Sequence, residues 1–242
     1  MPAFFVRDMT RPEVNTLVLL PGMDGTGELF ARFVQALAPG VQTVVVRYPT
    51  DQPLGYADLA ARVREALPTD RPYVLLAESF SGPIGIALAA QAPDLLKGLV
   101  LCCTFASHPR PGLRWLNRLL PEALFGAMPV APLGRVLMGR WFDSALQADL
   151  AAAMRQVPAS VMLARLQAVQ SVDMSAHLRG VRVPTQYLRA HQDLVMPRSA
   201  GERIARLKPD VEFVDLPGPH FLLQTQPAAS AEAVVRFLNR LG

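Results

Sequence analysis

Ser79 stands where an apolar, strand-like run meets a helix-like run of small residues, in the segment LLAESFSG over 75–82. The residues two before and two after it, Ala77 and Ser81, are small, as a nucleophile elbow of the G-x-S-x-G type requires. Such a turn exposes the serine hydroxyl beside a helix N-terminus, whose dipole favours developing negative charge. Both glycines of the pattern are replaced here, and the alternative is that Ser79 only caps the following helix.

The loop PGMDGTG over 21–27 follows the first apolar run and is rich in turn residues. Serine hydrolases with a nucleophile elbow take one oxyanion-hole N–H from such a loop and the other from the residue after the nucleophile. The amides of Met23 and Phe80 are therefore the predicted donors, each worth about 3–4 kcal/mol to the transition state. The alternative is a phosphate-binding loop, but the glycines read G-x-x-G-x-G and no lysine follows them.

Asp193 and His220 are the predicted acid and base. Asp193 lies in the loop AHQDLVMP over 190–197, after one strand-like run, and His220 lies in the loop PGPHF over 217–221, after the last run. Loops after parallel strands meet at one edge of a sheet, so Asp193 can orient His220 and His220 can take a proton from Ser79. The pattern indicates nucleophilic attack on a carbonyl carbon.

Other carboxylates and histidines compete for these two roles. Asp173 lies at the end of a long helical segment, and Asp215 lies within the last strand-like run, close to His220 in sequence. Only His220 among the histidines follows the last strand. The others lie in the helical segment or beside Asp193: His108, His177 and His191.

Strand-like and helix-like segments alternate along the chain, which predicts an α/β protein with a mostly parallel sheet and helices on both faces. The predicted strands cover 16–20, 41–47, 73–77, 98–103, 185–189 and 211–216. The predicted helices cover 28–38, 56–66, 81–92, 198–207 and 228–241. The alternation stops over 106–179, which predicts a helical cap inserted into a core domain formed by 1–105 and 180–242. We expect the cap to lie over the carboxyl ends of the strands.

The predicted cap is rich in large apolar side chains, namely Trp115, Phe125, Met128, Met138, Trp141 and Phe142. They could line a pocket for an apolar acyl group and exclude water from it, or they could only pack the cap onto the core. Glu78, beside the nucleophile, could face the mouth of this pocket or be an ordinary solvated carboxylate.

Composition argues for one large globular domain and against several other classes. Hydrophobic residues make up 51% of the chain and charged residues 18%, which excludes disorder. The net charge of +4 comes from scattered arginines, with lysine only at Lys97 and Lys208, so no nucleic-acid partner is expected. Four dispersed histidines and the adjacent Cys102 and Cys103 lack metal-ligand spacing, so neither metal nor cofactor is expected. With no secretory signal and no bilayer-length apolar run, we expect a cytoplasmic protein without stable membrane insertion and with reduced cysteines.

Four segments resemble the α/β-hydrolase superfamily: LLPGMDGTGELF over 19–30, LLAESFSG over 75–82, DLVMP over 193–197 and GPHFLLQTQP over 218–227. They are similar to small bacterial carboxylesterases of the pimeloyl-carrier-protein methyl ester esterase type and to plant phytyl ester synthase-like esterase/acyltransferases. The superfamily's triad runs serine, acid, histidine along the chain, which is the order of Ser79, Asp193 and His220. Its first loop often begins His-Gly, whereas this chain has Pro21-Gly22. The resemblance implies the α/β-hydrolase fold and carboxylic ester hydrolysis, without naming the ester.

Together these features predict a serine hydrolase that forms an acyl-enzyme on Ser79. An acyltransferase or thioesterase could use the same residues, because such enzymes differ only in the acceptor pocket and in water exclusion. Dehalogenases and epoxide hydrolases need a carboxylate at the elbow, where this chain has serine. The alternative from another class is a non-catalytic ligand-binding protein of the same fold. The expected partner is a small-molecule ester or acyl compound with an apolar acyl group, and the oligomeric state stays open.

Overall fold

A six-stranded parallel sheet is the centre of this computed structural model, which describes residues 14–113 and 130–241. The strands are β1 (Thr16–Leu20), β2 (Gln42–Val45), β3 (Tyr73–Glu78), β4 (Leu96–Cys102), β5 (Thr185–Ala190) and β6 (Glu212–Leu216). They lie in the order β2-β1-β3-β4-β5-β6, and every neighbouring pair is parallel. The central strands β1 and β3 are fully buried apolar runs, as expected for a parallel sheet covered on both faces. The predicted α/β class and parallel sheet are confirmed.

Helices cover both faces of the sheet. They are α1 (Ala31–Ala36), α2 (Tyr56–Glu65), α3 (Gly82–Ala90), α4 (Val130–Met138), α5 (Ser144–Arg155), α6 (Ala159–Ser171), α7 (Ser175–Gly180), α8 (Arg198–Leu207), α9 (Leu222–Thr225) and α10 (Pro227–Asn239). Alternate residues of β3 point to opposite faces: Leu75 packs in the apolar cluster with α2, α3 and α8, whereas Leu76 packs in the cluster with α1 and α10. The doubly wound arrangement follows from this alternation.

Several element boundaries differ from those predicted. The helix predicted over 28–38 is a 3-10 turn, Glu28–Phe30, followed by the short α1, because the chain turns at Pro39 and Gly40. The helix predicted over 81–92 is preceded by a 3-10 turn, Ser79–Ser81, and α3 ends at Ala90. The strand predicted over 41–47 is shorter in the structure, where β2 covers Gln42–Val45. Helix α9 is four residues long, too short to show helical periodicity, and was not predicted.

The chain reverses its direction across the sheet between β1 and β3. From β1 it moves outward to β2, and from β3 it moves the other way to β6, so the connections that follow β1 and β3 diverge. Ligands of open α/β sheets bind in the crevice at such a switch point. Leu20 at the end of β1 pairs with Ala77 near the end of β3, so the loop over 21–27 and Ser79 emerge side by side.

Helices α4 and α5, which lie between β4 and β5 in sequence, pack against the rest of the protein through a small apolar cluster. Leu29 and Phe221 meet residues of α4 and α5 there, including Met138 and Leu146. The backbone N–H of Phe221 donates to the Leu137 carbonyl over 3.0 Å. Met138 is fully buried in this cluster, so it packs these helices onto the core. Helix α6 packs differently: its Val169 lies in the large cluster that contains Leu75.

The other large apolar side chains of the predicted cap have different surroundings. The ring of Trp141 lies 4.2 Å from the guanidinium of Arg140, and that of Phe142 lies 5.0 Å from the guanidinium of Arg135. Both aromatic side chains therefore lie against arginines of their own segment. Three others fall outside the described residues: Trp115, Phe125 and Met128. Within the part of the chain that the structure describes, no helix is both long enough and apolar enough to cross a membrane.

Candidate active site

Ser79 lies on a sharp turn between β3 and α3. Its φ is +48°, in the left-handed region that a serine seldom adopts, so the backbone at this residue is strained. Thr104, just beyond β4, donates its hydroxyl hydrogen to the Ser79 carbonyl and holds the turn from the neighbouring strand. Any Cβ at Gly82 would overlap Thr104 Oγ1, so this contact requires glycine at position 82. Nothing in the local sequence around Ser79 indicated Thr104, because it lies in a different strand connection.

The two small residues that flank the elbow have different reasons for being small. Ala77 lies close to α3, where its Cβ is 2.8 Å from the position that a Cβ at Gly85 would occupy. Ser81 is fully buried and uses its hydroxyl: it lies 2.5 Å from Tyr48 Oη and hydrogen-bonds the Pro21 carbonyl. Ser81 therefore links the elbow to the first residue of the loop over 21–27, a role beyond the small size that the motif required.

A chain of two hydrogen bonds joins Ser79, His220 and Asp193. Ser79 Oγ lies 2.8 Å from His220 Nε2, and His220 Nδ1 lies 2.8 Å from Asp193 Oδ2. The other carboxylate oxygen, Asp193 Oδ1, accepts the backbone N–H groups of Val195 at 2.8 Å and Met196 at 2.7 Å. The side chains of His220 and Asp193 are 4% and 6% exposed. The histidine is thus held in a defined orientation between a serine and a buried carboxylate.

The competing carboxylates are engaged elsewhere. Asp173 Oδ1 accepts the Ser175 N–H over 2.9 Å at the start of α7. Asp215 forms a two-bond ion pair with Arg189, with N–O distances of 2.5 and 2.8 Å. His191 is half-exposed and lies 3.7 Å from Asp215. The structure therefore brings Asp193, rather than Asp173 or Asp215, to His220.

The two predicted oxyanion donors lie in different connections, Met23 after β1 and Phe80 in the turn Ser79–Ser81 after β3. Met23 sits in a β-turn that the Gly25 N–H closes by donating to the Gly22 carbonyl over 3.1 Å. Phe80 follows Ser79 directly; its side chain is buried and its ring stacks on Tyr56 with centroids 4.7 Å apart. Both amides belong to connections that leave the carboxyl ends of β1 and β3, the adjacent strands at the switch point.

Glu78, which precedes the nucleophile, is a buried carboxyl group rather than a solvated one. It is 5% exposed, and its Oε1 accepts a hydrogen bond from Gln224 Nε2 over 2.8 Å. Burial raises the pKa of Glu78 to about 7; the bond from Gln224 opposes this rise, and the nearby carboxylate of Asp24 adds to it. The expectation of a solvated side chain fails because β3 is covered on both faces up to its last residue.

The described residues contain no group of three or more histidine, cysteine, aspartate or glutamate side chains that could hold a metal ion. Cys102 and Cys103 are both buried and free, as predicted. They pack in the same apolar cluster, because Cys103 follows the end of β4 with a φ of +46° and no longer alternates like a strand residue.

Comparison with known proteins matches residues 17–233 to the model of the alpha/beta hydrolase family. The "Putative carbamate hydrolase RutD" of Caulobacter vibrioides is 27% identical over 93% of this chain and 90% of its own length. A solved hydrolase from Pseudomonas aeruginosa is 25% identical, with a TM-score of 0.75 over 94% of this chain and 91% of that one. An enol-lactonase from Burkholderia xenovorans is 18% identical, with a TM-score of 0.78 over 93% and 92%, and shares the fold.

Proposed function

Because the chain belongs to the alpha/beta hydrolase family, we propose that it is a serine hydrolase that cleaves carboxylic esters through an acyl-enzyme on Ser79. The observation that carries this proposal is the hydrogen-bonded series from Ser79 through His220 to Asp193, with both links at 2.8 Å. The strained backbone of Ser79 at the carboxyl edge of the sheet supports the nucleophile assignment, since strain of this kind persists where function needs an exposed side chain.

In the first half of the reaction, Ser79 Oγ attacks the ester carbonyl while His220 Nε2 takes its proton. Asp193 accepts the Nδ1–H of His220, which keeps Nε2 free as the base and stabilises the imidazolium that forms. The carbonyl oxygen becomes an oxyanion, which the amides of Met23 and Phe80 stabilise by about 3–4 kcal/mol each. His220 then returns the proton to the leaving alcohol, and the acyl group stays on Ser79.

In the second half, water attacks the acyl-enzyme carbonyl and gives up a proton to His220. The same amides stabilise the second oxyanion, and collapse releases the carboxylic acid and restores the Ser79 hydroxyl. An alcohol or thiol acceptor in place of water would make the enzyme an acyltransferase, and a thioester donor would make it a thioesterase. The same residues serve all three reactions.

We assign the segment over 106–179 as the cap that shapes the acyl pocket. The packing of α4 and α5 against Phe221, the residue after the proposed base, supports this assignment because it puts the cap helices beside the catalytic loop. An apolar acyl group fits this surrounding, since the contacts between the cap and the catalytic loop are mostly apolar.

A carbamate is the second candidate substrate. Its carbonyl is attacked by the same series of groups, and the relatives at 27% identity that bear the name carbamate hydrolase favour it. An ester and a carbamate of the same alcohol differ only in the group on the acyl side of the carbonyl. Matched substrates therefore separate the two candidates.

The test is hydrolysis of p-nitrophenyl esters from acetyl to palmitoyl, together with p-nitrophenyl N-alkylcarbamates of the same chain lengths. Wild type, Ser79→Ala and a matched control, Ser171→Ala, are compared; Ser171 is exposed near the end of α6. Circular dichroism verifies that each variant is folded. Labelling by a fluorophosphonate, located by peptide mass spectrometry, reports a nucleophilic serine without any assumption about the substrate.

We expect wild type and Ser171→Ala to hydrolyse esters, Ser79→Ala to lose turnover, and the label to lie on Ser79. If p-nitrophenol is released faster from the carbamates than from the esters, with the same dependence on Ser79, the assignment would change to carbamate hydrolysis. Full ester turnover by a folded Ser79→Ala variant would refute the nucleophile. If wild type shows no turnover and no labelling, the result would favour a ligand-binding protein.

A further inference from the structure

Arg165, on cap helix α6, reaches across to the loop that follows β1 and is buried there. Its residue exposure is 1%, although arginine is one of the side chains least often buried. Among the described residues it forms no ion pair, and its Nε has no hydrogen-bond partner. Burial lowers the pKa of Arg165, and the nearby carboxylate of Asp24 opposes that shift. Placing a cation here is unfavourable unless the contacts it makes compensate.

The contacts of the guanidinium are to backbone carbonyls. Nη1 donates to the carbonyls of Met23 and Asp24, both over 2.7 Å, and Nη2 donates to the carbonyl of Pro49 over 2.9 Å. A planar fork with several donors in fixed directions meets these acceptors together, which the single ammonium group of lysine does not reproduce. The guanidinium fits against the loop because position 25 is glycine: a Cβ there would lie only 2.7 Å from Arg165 Nη1.

These bonds bear on the direction of the Met23 N–H. The peptide before the Met23 Cα is held by the turn, because its Gly22 carbonyl accepts the Gly25 N–H over 3.1 Å. The peptide after the Met23 Cα is held by Arg165, which binds the Met23 carbonyl. The Met23 N–H lies in the first of these two peptide planes, and φ and ψ of Met23 join that plane to the second. The bond from Arg165 therefore restrains the direction of the N–H through the Met23 Cα.

The same arginine connects the turn to the segment after β2. The Tyr48 N–H donates to the Gly25 carbonyl over 2.8 Å, and the next carbonyl along, that of Pro49, accepts from Arg165. The turn is thus held from α6 on one side and from residues 48–49 on the other. The interaction between a cap helix and the oxyanion loop is direct and needs no intermediate residue.

We propose that Arg165 is a positioning residue that orients the Met23 amide as an oxyanion donor, so that seating of the cap and completion of the oxyanion hole are coupled. The inference rests on the proposed serine-hydrolase function. An oxyanion exists only in the transition state and intermediates, so misdirecting a donor lowers kcat and leaves ground-state binding unchanged. Loss of a whole donor costs on the order of 10²–10³ in kcat, which bounds the effect from above.

The test compares Arg165→Lys and Arg165→Met with wild type and with Arg155→Met, an exposed arginine on α5 as a matched control. Two reactions are measured: turnover of a p-nitrophenyl ester, which gives kcat and KM, and fluorophosphonate labelling of Ser79, which gives a second-order rate constant. Labelling passes through an oxyanion on phosphorus, so it depends on the same donors but not on the natural substrate. Thermal unfolding midpoints are recorded for all four proteins.

We expect Arg165→Met to lower kcat and the labelling rate in parallel, by about 10- to 100-fold, with KM within about threefold of wild type. Arg165→Lys should lose less, about 3- to 10-fold in both rates, because it keeps the charge without the fork. Arg155→Met should match wild type. If Arg165→Met does not fold, the Lys variant alone decides the question.

Three results would overturn the inference. They are unchanged rates and an unchanged unfolding midpoint in a folded Arg165 variant, a change in KM alone, or unchanged rates with a lower unfolding midpoint. The last result would leave Arg165 with a structural role only. Failure of the proposed function gives a different signature, since wild type itself would then not be labelled at Ser79. In that case the inference falls together with the proposed function.

Discussion

Replacing Glu78 by glutamine should stabilise the protein above neutral pH and change its stability much less near pH 5. Glu78 is a buried carboxyl group whose pKa is raised to about 7 from an ordinary 4.5, mainly by burial. The folded state therefore holds the Glu78 proton more tightly than the unfolded chain. Between about pH 4.5 and 7 the folded state binds more protons, so the stability contributed by Glu78 falls as the pH rises through this window.

The size of this stability change follows from how far the pKa of Glu78 is raised. A rise of roughly 2.5 pH units at about 1.4 kcal/mol per unit means that ionised Glu78 costs the folded state on the order of 3 kcal/mol above pH 7. Below pH 4.5 the group is protonated in both states and contributes nothing. Glutamine has the same shape and no charge. The side-chain amide of Gln224 can turn so that its buried, unpartnered Oε1 accepts from the new amide.

The assay is urea unfolding of wild type and Glu78→Gln at pH 5, 6, 7 and 8.5, with the m-value compared at each pH. Glu65→Gln, an exposed residue at the end of α2, controls for loss of a negative charge. We expect the difference between variant and wild type to grow with pH by roughly 2–3 kcal/mol, and the control to stay flat. A difference that stays constant from pH 5 to 8.5 would refute the reasoning, because Glu78 would then bind the same number of protons in the folded and unfolded states over this range.

Asp193→Asn should lower kcat by a factor on the order of 10⁴, because asparagine favours the wrong tautomer of the base, whereas Asp173→Asn should retain most ester turnover. The reverse result in steady-state kinetics would place the acid at Asp173. Gly82→Ala should destabilise the protein by about 1–3 kcal/mol, measured as a lower unfolding midpoint, because the methyl group meets Thr104 Oγ1. Gly180→Ala, where a methyl group meets nothing within 4 Å, should keep wild-type stability; equal midpoints for the two glycine variants would contradict this packing argument.

The strands were predictable because their signals are local. Buried parallel strands are apolar runs of five or six residues. Each is followed by residues typical of turns, such as the glycines and prolines over 21–27 and 217–221. Strand ends share one edge of a parallel sheet, so the sequence could also nominate side chains at that edge. The structure brings Ser79 and Asp193 each within hydrogen-bond distance of His220, while the catalytic roles of these three residues stay predictions.

Boundaries and burial were less predictable. Helix α1 and the four-residue α9 depart from prediction because short helices have too few turns to show a period. Glu78 could be read as solvated because a charged residue at a strand end is usually exposed. Its burial depends on the helix that follows His220, which supplies Gln224 from 146 positions away.

Local sequence patterns were enough to predict the parallel sheet, its order of elements and the set of side chains that its carboxyl edge can present, because periodicity and turn chemistry act over a few residues. Tertiary structure alone decided how the turns are held. Thr104 on the Ser79 carbonyl, Tyr48 against Ser81 and Arg165 on the Met23 carbonyl join residues that lie between 25 and 142 positions apart. A hydrogen bond to a distant backbone carbonyl requires no particular residue type at the acceptor, so it leaves no pattern in the sequence around it.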